Sequence, residues 1–579
     1  MEEINLKTLF ETRYPGYWNR QPLIIKKTIL NLLGKILWLK EINVFISEHK
    51  EKQGIEFIDE IFEMLNFSFS ITNRDIKRIP AEGRLLIVSN HPLGSLDGLA
   101  LLKGISEIRK DVKIVANDLL LNIDNLKNLF IPYDLESSKL QRENIESIGK
   151  ALQKEEAIII FPAAEVSRLQ WLTVTDSKWH KGAVYFSQKF ETPVLPVFVN
   201  ARNSIFFYLF SAINKNFSTF LLPGEMFRKR NSTIQIHIGN PVPAKAFESS
   251  FLKSSAIITL LRKHIYRIGK NKPGIFKSEK NIIHPIDRKL IKKELVESEL
   301  LGETRDGKKI ILTNFCSSPN VMNEIARLRE VTFRSIGEGT GKKMDFDEFD
   351  RYYSHLVVWD ENELEIVGSY RIGFGNKLYE EIGLKGLYTS TLFEYSEHFI
   401  TKIVTNSIEL GRSFVQKKYW NTNALDYLWQ GIGALIAANP DIKYLFGAVS
   451  ISNNYSAPAK NRLVYFYNKW FGSVNDLARS KNRFVIPTSE ISILQKEFTG
   501  ETYKADFFIL KKMLKQFGFS VPVLYKHYSE LCENDGVQFL DFGVDEDFEN
   551  CIDGLLVVDL DRIKEEKKER YINQFLQAL

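Results

Sequence analysis

A histidine and an aspartate flank a turn rich in glycine and proline near the start of the chain. Residues 90–98 read Asn-His-Pro-Leu-Gly-Ser-Leu-Asp-Gly, which places His91 six residues before Asp97. The apolar run 85–88, Leu-Leu-Ile-Val, predicts a buried strand just ahead of the turn. A carboxylate can orient an imidazole, and an imidazole with a pKa of ~6.5 suits a general base. The segment therefore predicts a catalytic His91–Asp97 pair at a strand end.

Two more apolar runs end in polar turns further along the chain. Residues 158–161, Ile-Ile-Ile-Phe, are followed by Pro-Ala-Ala-Glu-Val-Ser-Arg, which brings Glu165, Ser167 and Arg168 to a second strand end. Residues 192–198, Thr-Pro-Val-Leu-Pro-Val-Phe, predict a third strand. Strands alternating with helical segments favour an α/β layer domain.

These three blocks, in this order, resemble the glycerolipid acyltransferase superfamily, which moves acyl chains from thioesters to hydroxyls. The resemblance implies that His91 deprotonates the attacking hydroxyl and that Asp97 orients it. The superfamily has four residues between His and Asp where this chain has five, and its Phe-Pro-Glu-Gly-Thr-Arg block becomes Phe-Pro-Ala-Ala-Glu-Val-Ser-Arg. Both departures are similar to a branch that O-acylates lyso-forms of amino-acid lipids. There Glu165, Ser167 and Arg168 would form the head-group site, and Arg168 would clamp a carboxylate.

Charged residues beside predicted strands recur in the second half of the chain. They are Arg329, Asp347, Asp350, Arg371, Glu409 and Arg412. In this order they resemble the acyl-homoserine-lactone synthase branch of the GNAT-type N-acyltransferases, which pass an acyl group from acyl carrier protein to an amine. The resemblance implies that Asp347 and Glu409 hold or deprotonate the amine, and that Arg371 or Arg412 meets a carboxylate or the carrier's phosphate. The resemblance makes all six of these residues candidate site residues.

A glycine-containing segment, Leu-Trp-Gln-Gly-Ile-Gly-Ala at 428–434, resembles the GNAT turn whose backbone N–H groups bind the pantetheine phosphate at a helix N-terminus. This assigns Gln430, Gly431 and Gly433 to cofactor binding. Leu435 stands where a second Gly or Ala is expected. A tight helix–helix contact at the two glycines is the equally compatible alternative.

Bulk properties limit the classes of function. A chain of 579 residues is too long for one core, and a net charge of +6 fits anionic lipid or an acidic carrier protein rather than nucleic acid. The three cysteines, Cys316, Cys532 and Cys551, have no CxxC spacing, which argues against disulfides or a zinc site. The start of the chain lacks a signal-peptide pattern, and no apolar run is long enough to predict a spanning helix.

The predicted organisation begins with an amphipathic helix over 22–46, whose apolar face, basic face and Trp38 suit a bilayer interface. A surface helix packed on its own domain is the alternative. The expected ranges are 1–50 for membrane-associating helices, 51–267 for an O-acyltransferase domain, 268–304 for a linker and 305–579 for a GNAT-like N-acyltransferase domain.

The expected fold class is α/β with two domains, the first like glycerolipid acyltransferases and the second like GNAT enzymes. The resemblance to bifunctional ornithine or glycine lipid synthases implies N-acylation of an amino acid with a 3-hydroxyacyl chain, then O-acylation of that hydroxyl. Two alternatives stay open: a lysophosphatidic acid acyltransferase with an accessory GNAT domain, or one inactive domain that docks a carrier protein or a membrane. The expected donor is acyl carrier protein bearing an acyl thioester, with no metal or bound cofactor. The expected location is peripheral, on the cytoplasmic side of the inner membrane.

Overall fold

The computed structural model describes residues 34, 38–116, 123–132, 138–170, 173–213, 221–248, 251–533 and 535–573. The chain divides into two compact units, residues 1–281 and 282–579. Each unit is mixed α/β, so the predicted fold class is confirmed. The division into the four predicted functional ranges stays a prediction.

The first unit alternates strands and helices. Its strands are β1 Ser68–Ile71, β2 Leu85–Ser89, β3 Val112–Ala116, β4 Phe130–Pro132, β5 Ala157–Ile160, β6 Arg168–Gln170, β7 Thr173–Thr175, β8 Val194–Asn200 and β9 Thr233–Ile238. Its α-helices are α1 Leu39–Glu48, α2 Ile55–Leu65, α3 Asn73–Ile76, α4 Ser95–Ser106, α5 Ser138–Gln153, α6 Gly182–Lys189, α7 Ile205–Ile213, α8 Leu222–Phe227 and α9 Ser254–Ile268. Short 3₁₀ helices span Asp124–Leu129 and Ala244–Phe247.

Among the described residues of this unit, the main sheet has the order β1-β9-β8-β2-β5-β3-β4. All neighbours are parallel except β8 and β9. Central strand β2 is apolar throughout because both sheet faces are covered: Leu85 and Ile87 join one hydrophobic core, and Leu86 and Val88 join the other. The predicted strands at 85–88, 158–161 and 192–198 therefore exist as β2, β5 and β8, side by side in the sheet.

The second unit has a predominantly antiparallel sheet. Its strands are β10 Glu299–Glu303, β11 Lys309–Asn314, β12 Ser354–Asp360, β13 Glu365–Phe374, β14 Phe393–Tyr395, β15 Ser407–Val415, β16 Tyr444–Ile451, β17 Ala478–Ser480, β18 Val537–Asp545 and β19 Cys551–Asp559. Its α-helices are α10 Arg288–Val296, α11 Pro319–Ile336, α12 Gly375–Ile382, α13 Glu397–Lys402, α14 Ala424–Ala438, α15 Ala457–Phe471, α16 Thr488–Glu497, α17 Tyr503–Gln516, α18 Val523–Ser529 and α19 Glu565–Lys568. Shorter helical turns include Glu348–Arg351, Leu384–Gly386, Tyr388–Thr391, Val404–Asn406, Lys417–Tyr419, Glu546–Phe548, Leu560–Arg562 and Glu569–Asn573.

Its main sheet, as far as the structure describes it, has the order β10-β11-β12-β13-β15-β16-β19-β18. The parallel pair β15–β16 is short, because it joins only residues 407–409 to 444–446. Beyond that point β15 pairs with β13, and β16 pairs with β19. A cavity of about 10 Å³, lined by Leu410, Phe446, Gly447 and Tyr528 among others, lies where the two strands separate.

The local structure differs from the prediction in two segments. Within 268–304, expected to be a linker, α10 spans 288–296, and β10 pairs with β11 as the edge of the second sheet. Residues 428–434, expected to form a turn at a helix N-terminus, lie inside α14. A Cβ added to Gly431 would lie 2.7 Å from Leu356, and one added to Gly433 would lie 1.7 Å from the Tyr571 carbonyl oxygen. The two glycines therefore allow close packing, and interior N–H groups already bonded within a helix cannot cradle a phosphate.

The predicted helix 22–46 falls mostly outside the described residues. Its described end forms part of α1, with Phe45 buried. No helix within the described ranges combines the length and apolarity needed to cross a bilayer.

Candidate active sites

His91 lies two residues after the end of β2, and its ring is held by Asp97. The two side chains are joined by a 3.1 Å contact between Nδ1 of His91 and Oδ2 of Asp97. An ionised carboxylate only accepts hydrogen bonds, so Nδ1 is the donor. This leaves the lone pair on Nε2 of the neutral ring, and Nε2 has no hydrogen-bond partner in the described part of the chain. The ring stacks on Phe161, with centroids 4.0 Å apart, and 17% of its side chain is exposed.

This chain has one residue more between His91 and Asp97 than the superfamily pattern, and the conformation of the turn accommodates it. Gly94 has a φ of 97° just ahead of α4, a conformation that favours glycine. Asp97 therefore falls in the first turn of α4, where it is fully buried and also accepts from the backbone N–H groups of Leu93 and Gly98, both at 2.9 Å. The wider spacing is thus compatible with a His–Asp pair.

The second block lies against this pair. The backbone N–H of Ser167 donates to the His91 carbonyl at 2.7 Å. Arg168 contacts Oε2 of Glu165 at 3.4 Å and donates to the hydroxyl of Ser211 on α7. The structure therefore brings Ser167 into contact with His91, and it joins Glu165 and Arg168 to each other in the same block.

A second buried carboxylate, Asp176, was not singled out from the sequence. Its Oδ1 accepts from the backbone N–H of His91 at 3.3 Å and from the Ser167 hydroxyl, and its Oδ2 accepts from Trp179 Nε1 at 2.9 Å. Burial alone would lower the pKa of His91, but Asp97 and then Asp176 outweigh it and raise that pKa. Asp176 thus links the two blocks and makes the imidazole a stronger base.

In the second unit, five of the six predicted residues form one ion-pair network, joined by Asp345. Arg329 on α11 is bidentate to Asp350, at 2.8 and 2.6 Å, and lies 3.2 Å from Asp345. Arg371 on β13 donates to both oxygens of Asp347 at 2.7 Å. Arg412 on β15 lies 3.5 Å from Asp347 and 3.8 Å from Asp345.

Two features of this network point to a site rather than to simple packing. Arg412 has a φ of 47° where the β13–β15 register shifts, and such strain is common at functional positions. Nε and Nη2 of Arg371, whose side chain is only 1% exposed, have no hydrogen-bond partner among the residues that the structure describes. Buried donors without partners are costly, so an anion is a suitable ligand for this arginine.

Glu409 lies apart from that network and is already fully engaged. It accepts from the Tyr353 hydroxyl, from the Tyr388 and Thr389 backbone N–H groups at 3.2 and 2.7 Å, and from the Thr389 hydroxyl at 2.6 Å. Burial raises its pKa against these hydrogen bonds. With both oxygens occupied, the geometry supports Glu409 as the residue that holds the 388–391 turn.

The charge of Arg412 acts on three further buried carboxylates, namely Glu338, Asp545 and Asp553, which are 5, 6 and 7% exposed. Burial raises the pKa of Glu338 to about 7. Burial, with the charges of Asp545 and Glu338, raises the pKa of Asp553 to about 8, and Arg412 opposes each of these increases. Near neutral pH the carboxyl groups of Glu338 and Asp553 therefore exchange between the protonated and the ionised form.

The strand pairing explains how these carboxylates come together. Asp553 on β19 is opposite Ser450 on β16, and the Ser450 hydroxyl donates to Glu338 at 3.0 Å. Within the described residues, Asp553 itself receives only a weak contact from the Cys551 thiol at 3.8 Å. Asp553 thus keeps acceptor capacity for an incoming donor.

The buried ion pairs give a stability prediction. We expect Asp350→Ala to lower the free energy of unfolding of the second unit by about 3–5 kcal/mol, because it leaves the Arg329 charge buried without its bidentate partner. Urea-dependent hydrogen exchange of second-unit peptides measures this. The control, Asp476→Ala, removes an exposed ion pair with Arg479 and should change little. Equal effects of the two substitutions would contradict the structural importance of Asp350.

Comparisons with known proteins agree with the two-unit division. A family model described as Acyltransferase matches residues 24–272, and one described as Acetyltransferase (GNAT) domain matches residues 328–430.

Three curated relatives are similar to the chain. A glycine N(alpha)-acyltransferase of Bacteroides thetaiotaomicron is 34% identical over 309 residues, which are 51% of this chain and 91% of the relative. A lyso-glycine lipid O-acyltransferase of the same organism is 32% identical over 254 residues, 43% of this chain and 91% of the relative. An L-ornithine N(alpha)-acyltransferase of Agrobacterium fabrum is 32% identical over 111 residues, 18% of this chain and 36% of the relative.

Proposed function

Because the chain belongs to the family of the glycine N(alpha)-acyltransferases and lyso-glycine lipid O-acyltransferases, and is therefore an acyltransferase, we propose that it catalyses both acylations of a glycine lipid. The second unit transfers a 3-hydroxyacyl chain to the α-amine of glycine. The first unit then esterifies the 3-hydroxyl of that product. The observation that carries this proposal is the presence, on one chain, of extended similarity to the enzymes named for these two steps.

For the O-acylation, the free Nε2 of His91 takes the proton of the lyso-lipid hydroxyl as that oxygen attacks an acyl thioester. Asp97 stabilises the imidazolium that forms. The thioester is already activated, so no enzyme nucleophile is needed, and the thiol of the donor leaves with the proton that the imidazolium returns. Arg168, held by Glu165 and Ser211, is the group that binds the carboxylate of the acceptor.

For the N-acylation, the acceptor is a zwitterion, and the second site offers both signs of charge. Nε and Nη2 of Arg371 and Nε of Arg412, which have no hydrogen-bond partner within the described ranges, suit the carboxylate. The neighbouring carboxylates Asp553 and Glu338 suit the ammonium, which must lose a proton before it can attack. Their raised pKa values make them able to take that proton near neutral pH.

The acyl donor proposed for both units is an acyl carrier protein bearing its chain on phosphopantetheine. A carrier with an acidic surface suits this chain, whose net charge is +6. The product is an amphiphile, so the proposed location is peripheral, on the cytoplasmic side of the inner membrane.

One observation favours a second acceptor, ornithine. A diamino acid needs a second acidic site for its side-chain ammonium, and the cluster of Glu338, Asp545 and Asp553 has more carboxylates than one amine requires. Lipid mass spectrometry of a host that expresses the chain tests both: glycine lipid and its lyso-form support the main proposal, and ornithine lipid supports the second. A host that gains neither lipid would refute both.

The pH dependence of O-acylation tests the environment of His91. The base must be neutral, so kcat/KM falls as the pH drops through the pKa of His91. Because the Asp176 charge raises that pKa, Asp176→Asn should move the acid limb of the profile to lower pH. The measurement is kcat/KM for lyso-glycine lipid against pH. Asp59→Asn, which removes an exposed partner of Lys103, is the control and should leave the limb in place. A limb that is unmoved by Asp176→Asn would contradict the assignment.

A further inference from the structure

Helix α7, Ile205–Ile213, exposes an unusual amount of apolar side chain. Ile205 is 78% exposed, Phe206 is 55% exposed and Leu209 is 59% exposed. All three lie on one side of the helix, and single exposed apolar residues need no explanation but a cluster does. Contact of this apolar face with water is therefore unfavourable, and its burial against an apolar partner would be favourable.

The opposite side of α7 is connected to the first active site. Phe207 and Tyr208 are buried, and the Ser211 hydroxyl receives the hydrogen bond from Arg168. The Tyr208 hydroxyl accepts from the backbone N–H of Asn203, whose side chain donates to the carbonyl of Pro92, the residue after His91. The exposed face and the residues proposed to bind and activate the lyso-lipid therefore lie on opposite sides of the same helix.

One arginine adjoins this face, and a second arginine lies two residues further along the chain beside two aromatic rings. The Arg228 guanidinium lies 5.3 Å from the Phe206 ring, and its side chain is 54% exposed. Arg230 lies 5.3 Å from the Phe227 ring and 5.7 Å from the ring of Trp38, which stacks on Phe227 and is 37% exposed. Arginine beside tryptophan and exposed apolar side chains is the pattern of a bilayer interface, where the rings sit at head-group level and the cations meet lipid phosphates.

We propose that this surface, made of Ile205, Phe206, Leu209, Arg228 and Arg230, inserts into the head-group boundary of an anionic bilayer and holds the O-acylation site there. A bilayer fits better than a second protein because Arg228 borders the apolar face and Arg230 follows it beside the exposed ring of Trp38. The role of this surface in catalysis rests on the proposed function. A lyso-lipid acceptor is itself a bilayer component, so a surface at α7 would let it reach Arg168 and His91 without passage through water.

Vesicle partition tests the surface directly. The full chain is mixed with phosphatidylcholine vesicles with or without phosphatidylglycerol, and bound protein is measured by flotation. We expect Phe206→Ser with Leu209→Ser to weaken binding at least tenfold, and Arg228→Gln with Arg230→Gln to weaken it only on vesicles that contain phosphatidylglycerol. The control is Val474→Ser, since Val474 is 98% exposed but lies in the second unit. Thermal unfolding checks that each variant is folded.

A site-specific label gives a second readout. In a Cys316→Ser background, which removes the exposed thiol, a polarity-sensitive fluorophore is attached at Leu209→Cys or at Val474→Cys. A blue shift with vesicles at the first position only is the expected result. No vesicle binding by the unmodified chain, equal binding by the serine variants, or a dimer that forms through α7 in place of vesicle binding would each overturn the proposal. Binding through α7 by a chain that does not O-acylate lyso-glycine lipid would instead refute the proposed function and leave this inference standing.

Discussion

Replacing His91 by alanine is expected to stop lipid assembly at the lyso-form. The variant loses the imidazole that takes the hydroxyl proton, and general bases contribute about 10²–10⁴-fold to such steps. We therefore expect O-acylation to fall by about 10³-fold, while N-acylation continues, because every residue of the second network lies beyond residue 281. Mass spectrometry of the host's lipids should show N-acylglycine accumulating without its ester.

The matched control for this substitution is His180→Ala. His180 is exposed, and it follows Trp179, which donates a hydrogen bond to Asp176. It is therefore a histidine of the same part of the chain that is not paired with Asp97. It should retain O-acylation near that of the unmodified chain. If both histidine variants made the diacylated lipid equally well, the assignment of His91 as the base would be wrong.

Replacing Asp553 by asparagine is expected to block the first acylation. Asparagine has nearly the same shape but cannot be ionised, so it can neither take the amine's proton nor balance an ammonium. We expect N-acylation of glycine to fall by about 100-fold, and with it both lipid forms, unless N-(3-hydroxyacyl)glycine is supplied. Kinetics on the purified chain separate the two roles: loss of proton transfer lowers kcat, whereas loss of ammonium binding raises KM.

Asp541→Asn is the control for the second site. Asp541 lies on β18, as Asp545 does, and is 6% exposed, but it pairs with Arg483 at 3.0 Å instead of facing Arg412. Normal N-acylation by this variant, together with the loss in Asp553→Asn, supports the proposal. Normal N-acylation by Asp553→Asn would contradict the role of Asp553. It would favour Asp347 or Glu409 as the proton acceptor, as the sequence analysis predicted.

The sequence predicted those parts of the molecule in which local pattern and tertiary position coincide. Strands β2, β5 and β8 are short, apolar and bounded by turn residues, so their existence could be predicted, and their polar ends meet because they are neighbours in one sheet. The unusual spacing between His91 and Asp97 left their geometry open. Only the positive φ of Gly94 shows how five intervening residues still allow the contact.

Other parts depend on contacts that no local pattern encodes. Asp176 accepts a hydrogen bond from Ser167, which lies nine residues earlier, on the other side of a β-hairpin. In the sequence Asp553 is an ordinary polar residue of a strand, and only the fold places it opposite Ser450, which binds Glu338. The segment around Gly431 was misassigned for a related reason. Glycine serves both tight turns and close packing, and the interior of α14 needs the second use.

Among the residues that the structure describes, the contacts of His91 come from the first unit and the ion pairs of Arg371 come from the second. Selection can therefore retune acceptor choice in one half without repacking the other. What the fusion adds is equal dosage, since every translated chain supplies one copy of each half.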